Sequence, residues 1–397
     1  MLHIVFYFQV HQPYRLRPYS VLDIGLRDDY FDEGLNRAVM RKVAEKCYLP
    51  ANRLFLDLIE AAEGRFKIAF SISGTAIEQF RLYAPEVLDS FRELAATGCV
   101  EFLGETYYHS LAYLFDQEEF VAQVGMHRRL MEEEFGFSPI TFRNTELIYQ
   151  DSLADLVWDL KGFKSILAEG AQRVLGWRSP LYAYHDYNHR LFLLLKSYAL
   201  SDDIAFRFSD RGWAEWPLSV EKFSRWISNL GLIERSNRAL FLNLFMDYET
   251  FGEHQWAETG IFEFMRALPG EILKKGHIEF AWPLDVIDLV GYPPEALKVP
   301  EPVSWADTER DLSAWMENDL QKNGLVSFYD LLGRIREAGR GDLLARARLL
   351  STSDHFYYMS TKYFQDGDVH KYFSPYSSPE QSYLYYLNAL ADLEERL

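Results

Sequence analysis

Short apolar segments alternate with segments of helical periodicity through the first two thirds of the chain, and this alternation limits the possible folds most. Strands separated by helices form βαβ units, whose strands pair in parallel. Seven strands are predicted, at Leu2–Val10, Phe66–Ile72, Val100–Leu103, Ile140–Arg143, Ser165–Ala168, Ile204–Phe208 and Ala239–Met246. Seven strands in series favour an α/β fold closed as a (β/α)7 barrel, a distorted TIM-like barrel, and His277–Trp282 leaves an eighth strand open.

The segments between these strands carry helix start and stop residues. Pro50–Ala62 begins at a proline and ends before Gly64, as helices commonly do. Further helices are predicted at Thr75–Thr97, Gln117–Phe135, Asp151–Leu160 and Ser219–Leu230. Residues 174–190 are rich in Tyr, Trp, His and Asp and predict a loop or an insertion.

Clustered prolines at residues 293–294 and 300–302 mark a boundary, because prolines end regular structure. Helical periodicity follows at Thr308–Lys322, Phe328–Ala338, Leu343–Leu350 and Pro379–Leu397. We therefore predict a barrel domain at residues 1–300 and a helical C-terminal domain at residues 301–397.

Charge and cysteine content narrow the class of ligand and the compartment. The formal net charge of −18 argues against nucleic acid and against anionic membranes, and is compatible with a neutral ligand. Two cysteines do not build a disulfide framework, and the apolar N-terminus reads as a buried strand. The sequence predicts a cytoplasmic protein without a membrane span and leaves the oligomeric state open.

Two predicted strands lead directly into a carboxylate, Glu146 in one and Asp247 in the other. Barrel enzymes carry catalytic groups just past the carboxyl ends of their strands. A pair of carboxylates far apart in sequence is typical of a retaining glycosidase. A structural Arg–Glu pair and a helix-capping Asp are the ordinary alternatives.

The neighbours of these two carboxylates suggest different roles. Arg143 precedes Glu146 by three residues and would keep it ionised, which suits a nucleophile. Trp256 and other aromatic residues follow Asp247 and would raise its pKa toward that of a general acid. Glu249 and Glu253 are rivals of Asp247, further from the strand end.

Polar residues follow two other predicted strands, at the same carboxyl end of the predicted barrel. The candidate substrate-binding residues here are His11 and Gln12 after the first strand, and Glu105 and His109 after the third. Arg143 and Trp256, which lie near the two carboxylates in sequence, are candidates for substrate binding as well. Trp282 is a further groove candidate, from its position alone.

Histidine and aspartate at strand ends also build metal sites. Asp28–Asp29, Asp202–Asp203 and His185–His189 have suitable spacing, but none follows a predicted buried strand. A metal-dependent carbohydrate hydrolase stays an alternative, and the favoured hypothesis uses no metal or other cofactor.

Five segments, spread over nearly the whole chain, resemble glycoside hydrolase family 57 and its α-amylase-type members. They are His11–Pro13, Val100–His109, Phe142–Tyr149, Met246–His254 and Ser353–Met359. The resemblance implies a (β/α)7 barrel followed by a helical domain, retaining chemistry on α-glucans, and no metal requirement.

Individual roles follow from the same resemblance. Glu146 takes the nucleophile position and Asp247 the general acid/base position, while His11 and His109 match positions that contact substrate near the cleaved bond. Asp354 falls where the family has an Asp that lines the site, and His355 stands where several relatives carry Trp.

The favoured function is an α-amylase-like retaining hydrolase that acts on an α-glucan or maltooligosaccharide. A 4-α-glucanotransferase or a branching enzyme shares the same carboxylates and is the first alternative. A non-catalytic glucan-binding protein on the same barrel is a second one.

Overall fold

A computed structural model describes residues 1–233, 238–362 and 374–397. Its strands are β1 (Leu2–Val10), β2 (Ile68–Ile72), β3 (Val100–Phe102), β4 (Thr141–Arg143), β5 (Ser165–Glu169), β6 (Tyr184–His185), β7 (Phe192–Lys196), β8 (Leu240–Asp247) and β9 (Ile278–Phe280). Six of the seven predicted strands form, with ends that shift by up to two residues.

Seven of these strands follow one another around a barrel, all parallel. The pairing runs β3–β2–β1–β8 in one sheet and β4–β5–β7 in the other. The Gly104 N–H donates to the Thr141 carbonyl at 2.9 Å and joins β3 to β4, while the Ser197 N–H donates to the Asn243 carbonyl at 2.8 Å and joins β7 to β8. The predicted (β/α)7 barrel is confirmed.

The possible eighth strand forms but lies outside this circuit. β9 pairs in parallel with Leu2–Ile4, at the beginning of β1, on the end of the barrel opposite to the carboxyl ends of the strands. β6 pairs antiparallel with β7 within the segment predicted as an insertion.

β1 explains how the sheet buries both faces. Its nine residues are all buried and alternate in direction, as successive strand residues do. Val5 and Tyr7 face the barrel interior, while Phe6 and Phe8 pack against the surrounding helices. A parallel strand covered on both faces reads as a continuous apolar run.

Helices surround the barrel and form the C-terminal region. They are α1 (Glu33–Val43), α2 (Leu49–Ala61), α3 (Gly74–Tyr83), α4 (Pro85–Ala96), α5 (Ala112–Phe115), α6 (Gln117–Phe135), α7 (Asp151–Asp159), α8 (Gln172–Leu175), α9 (Tyr198–Ala205), α10 (Val220–Ile233), α11 (Ile261–Leu273), α12 (Val286–Leu289), α13 (Ser313–Met316), α14 (Asp319–Glu337), α15 (Gly341–Leu349), α16 (Ser353–Tyr357) and α17 (Pro379–Arg396). A π-helical turn at Ala44–Tyr48 joins α1 to α2. None of the described helices combines the length and the apolar character that a membrane span requires.

Three predictions of secondary structure are wrong. The helix expected at Thr308–Lys322 is the short α13 followed, after a break at residues 317–318, by the beginning of α14. The strand expected at Ile204–Phe208 is the end of α9 and the turn after it, and the sixth barrel strand is β7. The helix expected at Thr75–Thr97 is two helices. It breaks at Ala84 because Pro85 disfavours helical geometry in the residue before it.

The C-terminal helices share a hydrophobic core with one side of the barrel. Phe142 of β4 and Leu193 of β7 belong to the same buried cluster as Phe328, Leu332 and Tyr386. A helical region therefore follows the barrel as expected. Its exact division from the barrel at residue 300 stays a prediction.

Candidate active site

A cavity of about 500 Å³ opens at the carboxyl ends of the barrel strands. Its walls include residues at or just after β1, β3, β4, β7 and β8, together with the C-terminal region: Gln9, His11, Gln12, His109, Glu146, Lys196, Asp247, Trp305 and Asp354. Both predicted catalytic carboxylates thus line one pocket, at the position that barrel enzymes use for chemistry.

Glu146 follows β4 in a strained turn. Its backbone lies in the left-handed region, with φ 58° and ψ 26°, which is uncommon for a residue with a side chain. Strain of this kind concentrates at functional sites, where the surrounding structure imposes it. The turn sets the carboxylate into the pocket, where Oε2 accepts a hydrogen bond from Trp305 Nε1 at 2.7 Å.

Glu146 is held in its ionised form. Burial alone would raise its pKa, but the hydrogen bond and the charge of His109 oppose burial. The charge of Arg143 and the hydrogen bond from Trp305 add to the effect of His109, so the pKa lies below its ordinary value. A carboxylate that stays ionised suits the nucleophile of a double displacement.

Asp247 ends β8 and has the opposite electrostatic setting. Burial raises its pKa to about 6, and the negative charge of Glu146 contributes in the same direction. Two carboxyl groups whose surroundings push their pKa values apart are candidates for an acid/base pair. The increase in pKa comes from burial and the charge of Glu146, whereas Trp256, expected from the sequence to contribute, is exposed to solvent.

His109 links Glu146, which lines the pocket, to Glu105, which is fully buried and outside the pocket lining. Its Nδ1 lies 2.9 Å from Glu105 Oε2 and its Nε2 lies 3.3 Å from Glu146 Oε1. Burial opposes a charge on the ring, yet these two hydrogen bonds prevail and raise the pKa of His109 to about 9. The pKa of Glu105 falls to about 2, because the bond to His109 outweighs the effect of burial. His109 is thus a cation that donates to both carboxylates.

His11 joins the same network through the C-terminal region. Its ring stacks on that of His109 with centroids 4.1 Å apart, and its Nε2 lies 2.9 Å from Asp354 Oδ2. Its Nδ1 lies 2.7 Å from Ser73 Oγ. Burial, reinforced by the charge of His109, lowers the pKa of His11. Asp354 therefore reaches the site from α16, as the sequence resemblance implies.

Gln12 connects one rival carboxylate to the pocket wall. Its Nε2 donates to Tyr48 Oη at 3.2 Å and to Glu249 Oε1 at 3.4 Å. Burial and the charge of Asp247 raise the pKa of Glu249 to about 8. Glu253 turns away from the pocket and pairs with Lys42 at 2.8 Å.

Arg143 acts on the site through its charge. The guanidinium is fully buried, and in the described residues no protein group accepts a hydrogen bond from its nitrogens. Its carbon Cζ lies 4.8 Å from the centre of the Trp305 ring. Orientation of Glu146 therefore falls to its hydrogen-bond partners His109, Trp305 and Ser353.

Three aromatic candidates lie outside the pocket. Trp282 is at the opposite end of the barrel, where its indole donates to the Cys99 carbonyl at 3.0 Å. His355 is buried against Tyr386, with ring centroids 5.4 Å apart. Trp256 is 56% exposed, beyond the residues that line the cavity.

Sequence reasoning missed a buried charge cluster beside Asp247. Lys196 Nζ lies 3.3 Å from Asp202 Oδ1 and 3.9 Å from Glu169 Oε2. Arg310 pairs with the same two carboxylates at 3.4 and 3.7 Å. Lys196 ends β7. The sequence predicts the sixth barrel strand at Ile204–Phe208 instead, so Lys196 is not among the predicted site residues.

Two of the aspartates considered as metal ligands form ion pairs with basic side chains instead. Asp29 pairs with Arg17 and Arg27, and Asp202 belongs to the buried charge cluster. Within residues 1–233, 238–362 and 374–397, no three His, Cys, Asp or Glu side chains are grouped as a metal site requires.

Comparison with known proteins agrees with this geometry. Residues 5–300 match the family described as Glycosyl hydrolase family 57. A Methanocaldococcus jannaschii protein named "Putative alpha-amylase" is 44% identical over 404 residues, which cover 98% of this chain and 84% of that protein.

Two solved structures share the fold at low sequence identity. The GH57-type branching enzyme of Pyrococcus horikoshii matches with a TM-score of 0.68 and 15% identity, over 98% of this chain and 88% of its own. The alpha-amylase AmyC of Thermotoga maritima matches with a TM-score of 0.65 and 13% identity, over 99% and 93%. The family match and the 44% identity together show that this chain belongs to glycoside hydrolase family 57 and is an enzyme of that family.

Proposed function

We propose that the protein is a retaining glycoside hydrolase of α-1,4-glucans, with Glu146 as nucleophile and Asp247 as general acid and base. One observation carries the proposal: two carboxyl groups line one pocket, and their pKa values are displaced in opposite directions. An ionised carboxylate beside a carboxyl group that still binds a proton near pH 6 is what glycoside cleavage by double displacement requires.

In the first displacement, a lone pair of the Glu146 carboxylate forms a bond to the anomeric carbon. The bond from that carbon to the glycosidic oxygen breaks, and the departing oxygen takes the proton of Asp247. Proton transfer to the leaving oxygen avoids expulsion of an alkoxide, which is the usual benefit of general acid catalysis.

In the second displacement, Asp247 is ionised and acts as a base. It removes a proton from water while the water oxygen attacks the anomeric carbon, and the bond to Glu146 breaks. The product keeps the α configuration, and both carboxyl groups return to their starting states. His109 supports this step because a cation beside Glu146 stabilises the carboxylate as it is released.

The substrate class rests on the family and on the pocket. The name of the Methanocaldococcus jannaschii relative refers to an α-amylase, and the barrel resembles that of a known α-amylase. The pocket wall combines charged groups with the aromatic residues Phe206, Trp305 and Tyr358. Hydroxyl groups of a neutral sugar would bond to the former, and its apolar ring faces would pack on the latter.

The test is the product profile on maltoheptaose, resolved by chromatography over time, with NMR of the first product. An α-amylase yields only shorter oligosaccharides, released as the α-anomer. Products longer than the substrate would instead assign a 4-α-glucanotransferase, and new α-1,6 linkages on amylose a branching enzyme. Release of the β-anomer would contradict the double displacement. No reaction with either substrate would contradict α-glucan cleavage and leave a binding role.

A further inference from the structure

Trp305 contacts Glu146 through two separate hydrogen bonds. Its backbone N–H donates to the Glu146 carbonyl oxygen at 3.1 Å, and its indole Nε1–H donates to Oε2 at 2.7 Å. Trp305 belongs to the segment that leads from the barrel into the C-terminal helices, and it lines the pocket. Nothing in its local sequence marks it for this place.

The two oxygens of Glu146 differ in how tightly they are held. Oε2 has the short bond from Trp305, within the range of charge-assisted hydrogen bonds. Oε1 has longer contacts, 3.3 Å to His109 Nε2 and 3.4 Å to Ser353 Oγ. Movement of Oε1 toward a substrate carbon therefore breaks weaker hydrogen bonds than the same movement of Oε2 would.

We propose that Trp305 is a positioning residue that fixes Oε2 of Glu146, so that Oε1 is the oxygen that attacks the sugar. This inference rests on the proposed role of Glu146 as nucleophile. When Oε1 bonds to the anomeric carbon, the leaving oxygen takes its electron pair and the Asp247 proton, and Oε2 becomes the ester carbonyl. In the second step, water attacks the carbon, Asp247 takes the water proton, and the Oε1 electron pair returns to the carboxylate.

The indole N–H stabilises the second step more than the first. A hydrogen bond to an ionised carboxylate is stronger than one to an ester carbonyl. The bond from Trp305 therefore gains strength as the carboxylate is released and loses strength as the ester forms. Removal of the N–H should slow release of the sugar from the enzyme more than its attachment.

The surroundings of Trp305 hold its ring in place for this role. Arg143 Cζ lies 4.8 Å from the ring centre, and Lys196 Nζ lies 5.2 Å from it. Cations at these distances attract the face of an indole. Together with the backbone bond to Glu146, they leave the ring little freedom to turn.

Trp305→Phe tests the proposal because phenylalanine keeps an aromatic wall and removes the donor. With an aryl α-maltoside that has a good leaving group, we expect kcat to fall about 10- to 100-fold, as loss of a bond to a charged group implies. We expect KM to fall with kcat, because release of the sugar is the slowed step, and the burst of released phenol to grow because the intermediate accumulates. The acid limb of kcat/KM should move to higher pH, since Glu146 loses a bond that favours its ionised form.

Trp315→Phe is the matched control. In the described residues the Trp315 indole nitrogen is buried without a hydrogen-bond partner, so its removal should leave both the burst and the pH profile unchanged. If Trp305→Phe fails to fold, 3-benzothienylalanine at position 305 removes the N–H and keeps the ring size.

Two results would overturn the inference. Wild-type kcat and an unshifted acid limb in the donor-free variant, with a large rise in KM only on Trp305→Ala, would make Trp305 a sugar-contacting wall. A fall in kcat without any change in the burst or the acid limb would make its role merely structural. Wild-type activity in Glu146→Gln would instead show that the nucleophile assignment itself fails.

Discussion

Each end of the barrel holds a carboxyl group with a raised pKa, yet only one end has the parts of an active site. Asp247 ends β8 at the mouth, with a pKa of about 6. Glu101 lies on β3 toward the opposite end, and burial raises its pKa to about 7. Titration behaviour alone does not separate the two groups.

Their surroundings do separate them. Glu101 accepts a hydrogen bond from the Leu284 N–H at 2.9 Å and lies under the turn Pro283–Asp285. Asp247 lines an open cavity beside an ionised second carboxylate. A shifted pKa identifies a catalytic group only where a substrate can reach it and a partner of complementary state is present. The opposite end of the barrel serves stability, as is general for this architecture.

The largest contrast between the two ends is expected from removal of each glutamate charge. Glu146→Gln should lower kcat by about 10⁴-fold or more, because loss of a nucleophile disables the whole catalytic group. Glu101→Gln should keep activity within about threefold, since it lies away from the pocket. Steady-state kinetics on maltoheptaose, with circular dichroism to verify folding, gives both values. Equal losses in the two variants would remove the distinction between the ends.

Asp247→Asn should lower kcat by about 10²- to 10⁴-fold on maltoheptaose, the usual worth of general acid–base catalysis. On an aryl maltoside, whose phenol leaves without protonation, the rate of glycosyl-enzyme formation should fall much less. Added azide should then restore turnover and yield an α-maltosyl azide, because azide attacks without a general base. Equal losses on both substrates, with no azide product, would argue against Asp247 as the acid and base.

His109→Gln should cost about 3–5 kcal/mol in the free energy of unfolding, because it leaves the buried Glu105 carboxylate without its cation. Lys67→Met, at the other end, breaks a partly exposed pair with Asp285 and should cost about 1 kcal/mol or less. Urea unfolding at pH 5.5 compares them. The lowered pKa of Glu105 stabilises the fold fully at this pH, because pH 5.5 lies above the ordinary glutamate value of 4.5. The raised pKa of His109 also stabilises it fully, because pH 5.5 lies below the ordinary histidine value of 6.5. Equal losses in the free energy of unfolding would show that removing a cation at the mouth destabilises the fold no more than removing one at the opposite end.

The smallest effects concern pH. Since Asp247 must be protonated to act as an acid, kcat/KM should fall as pH rises through about 6. Glu101→Gln should leave this profile unchanged and alter stability instead. A carboxyl group with a raised folded pKa stabilises below the unfolded value near 4.5, and that contribution is lost as pH rises through about 7. The variant should therefore gain stability relative to wild type between pH 4.5 and 7.5, measured by thermal unfolding.

Much of the fold was predictable because the barrel strands are buried on both faces and read as apolar runs. The run Leu191–Leu195 carries the same signal as β5, yet the predicted strand is Ile204–Phe208. Short apolar runs of this kind are shared by strands and buried helices. In α9, Ile204 and Ala205 pack in the hydrophobic core of the protein, and Asp202 pairs with Lys196.

The site was predictable where its residues lie at or shortly after a strand end: Asp247 ends β8, and Glu146 and His109 lie in the segments that follow β4 and β3. Trp305 was not, because it reaches Glu146 from a segment 159 residues later that has no periodic pattern. Trp282 was placed in the groove by its position after a strand, but β9 pairs with the beginning of β1, at the other end. Chain order alone does not say which end of the barrel a strand end faces.

The most direct test of the account is to trap the sugar on the enzyme with a 5-fluoro-α-maltosyl fluoride and locate it by peptide mass spectrometry. Trypsin cleavage after Arg143 and Lys161 separates Glu146 from the peptide that contains Asp247 and Glu249. We predict one maltosyl residue per chain, on Glu146, and none on Glu146→Gln. A label on Asp247 or Glu249 would contradict the assignment of the nucleophile, as would full turnover of the fluoride with inverted product and no labelled peptide.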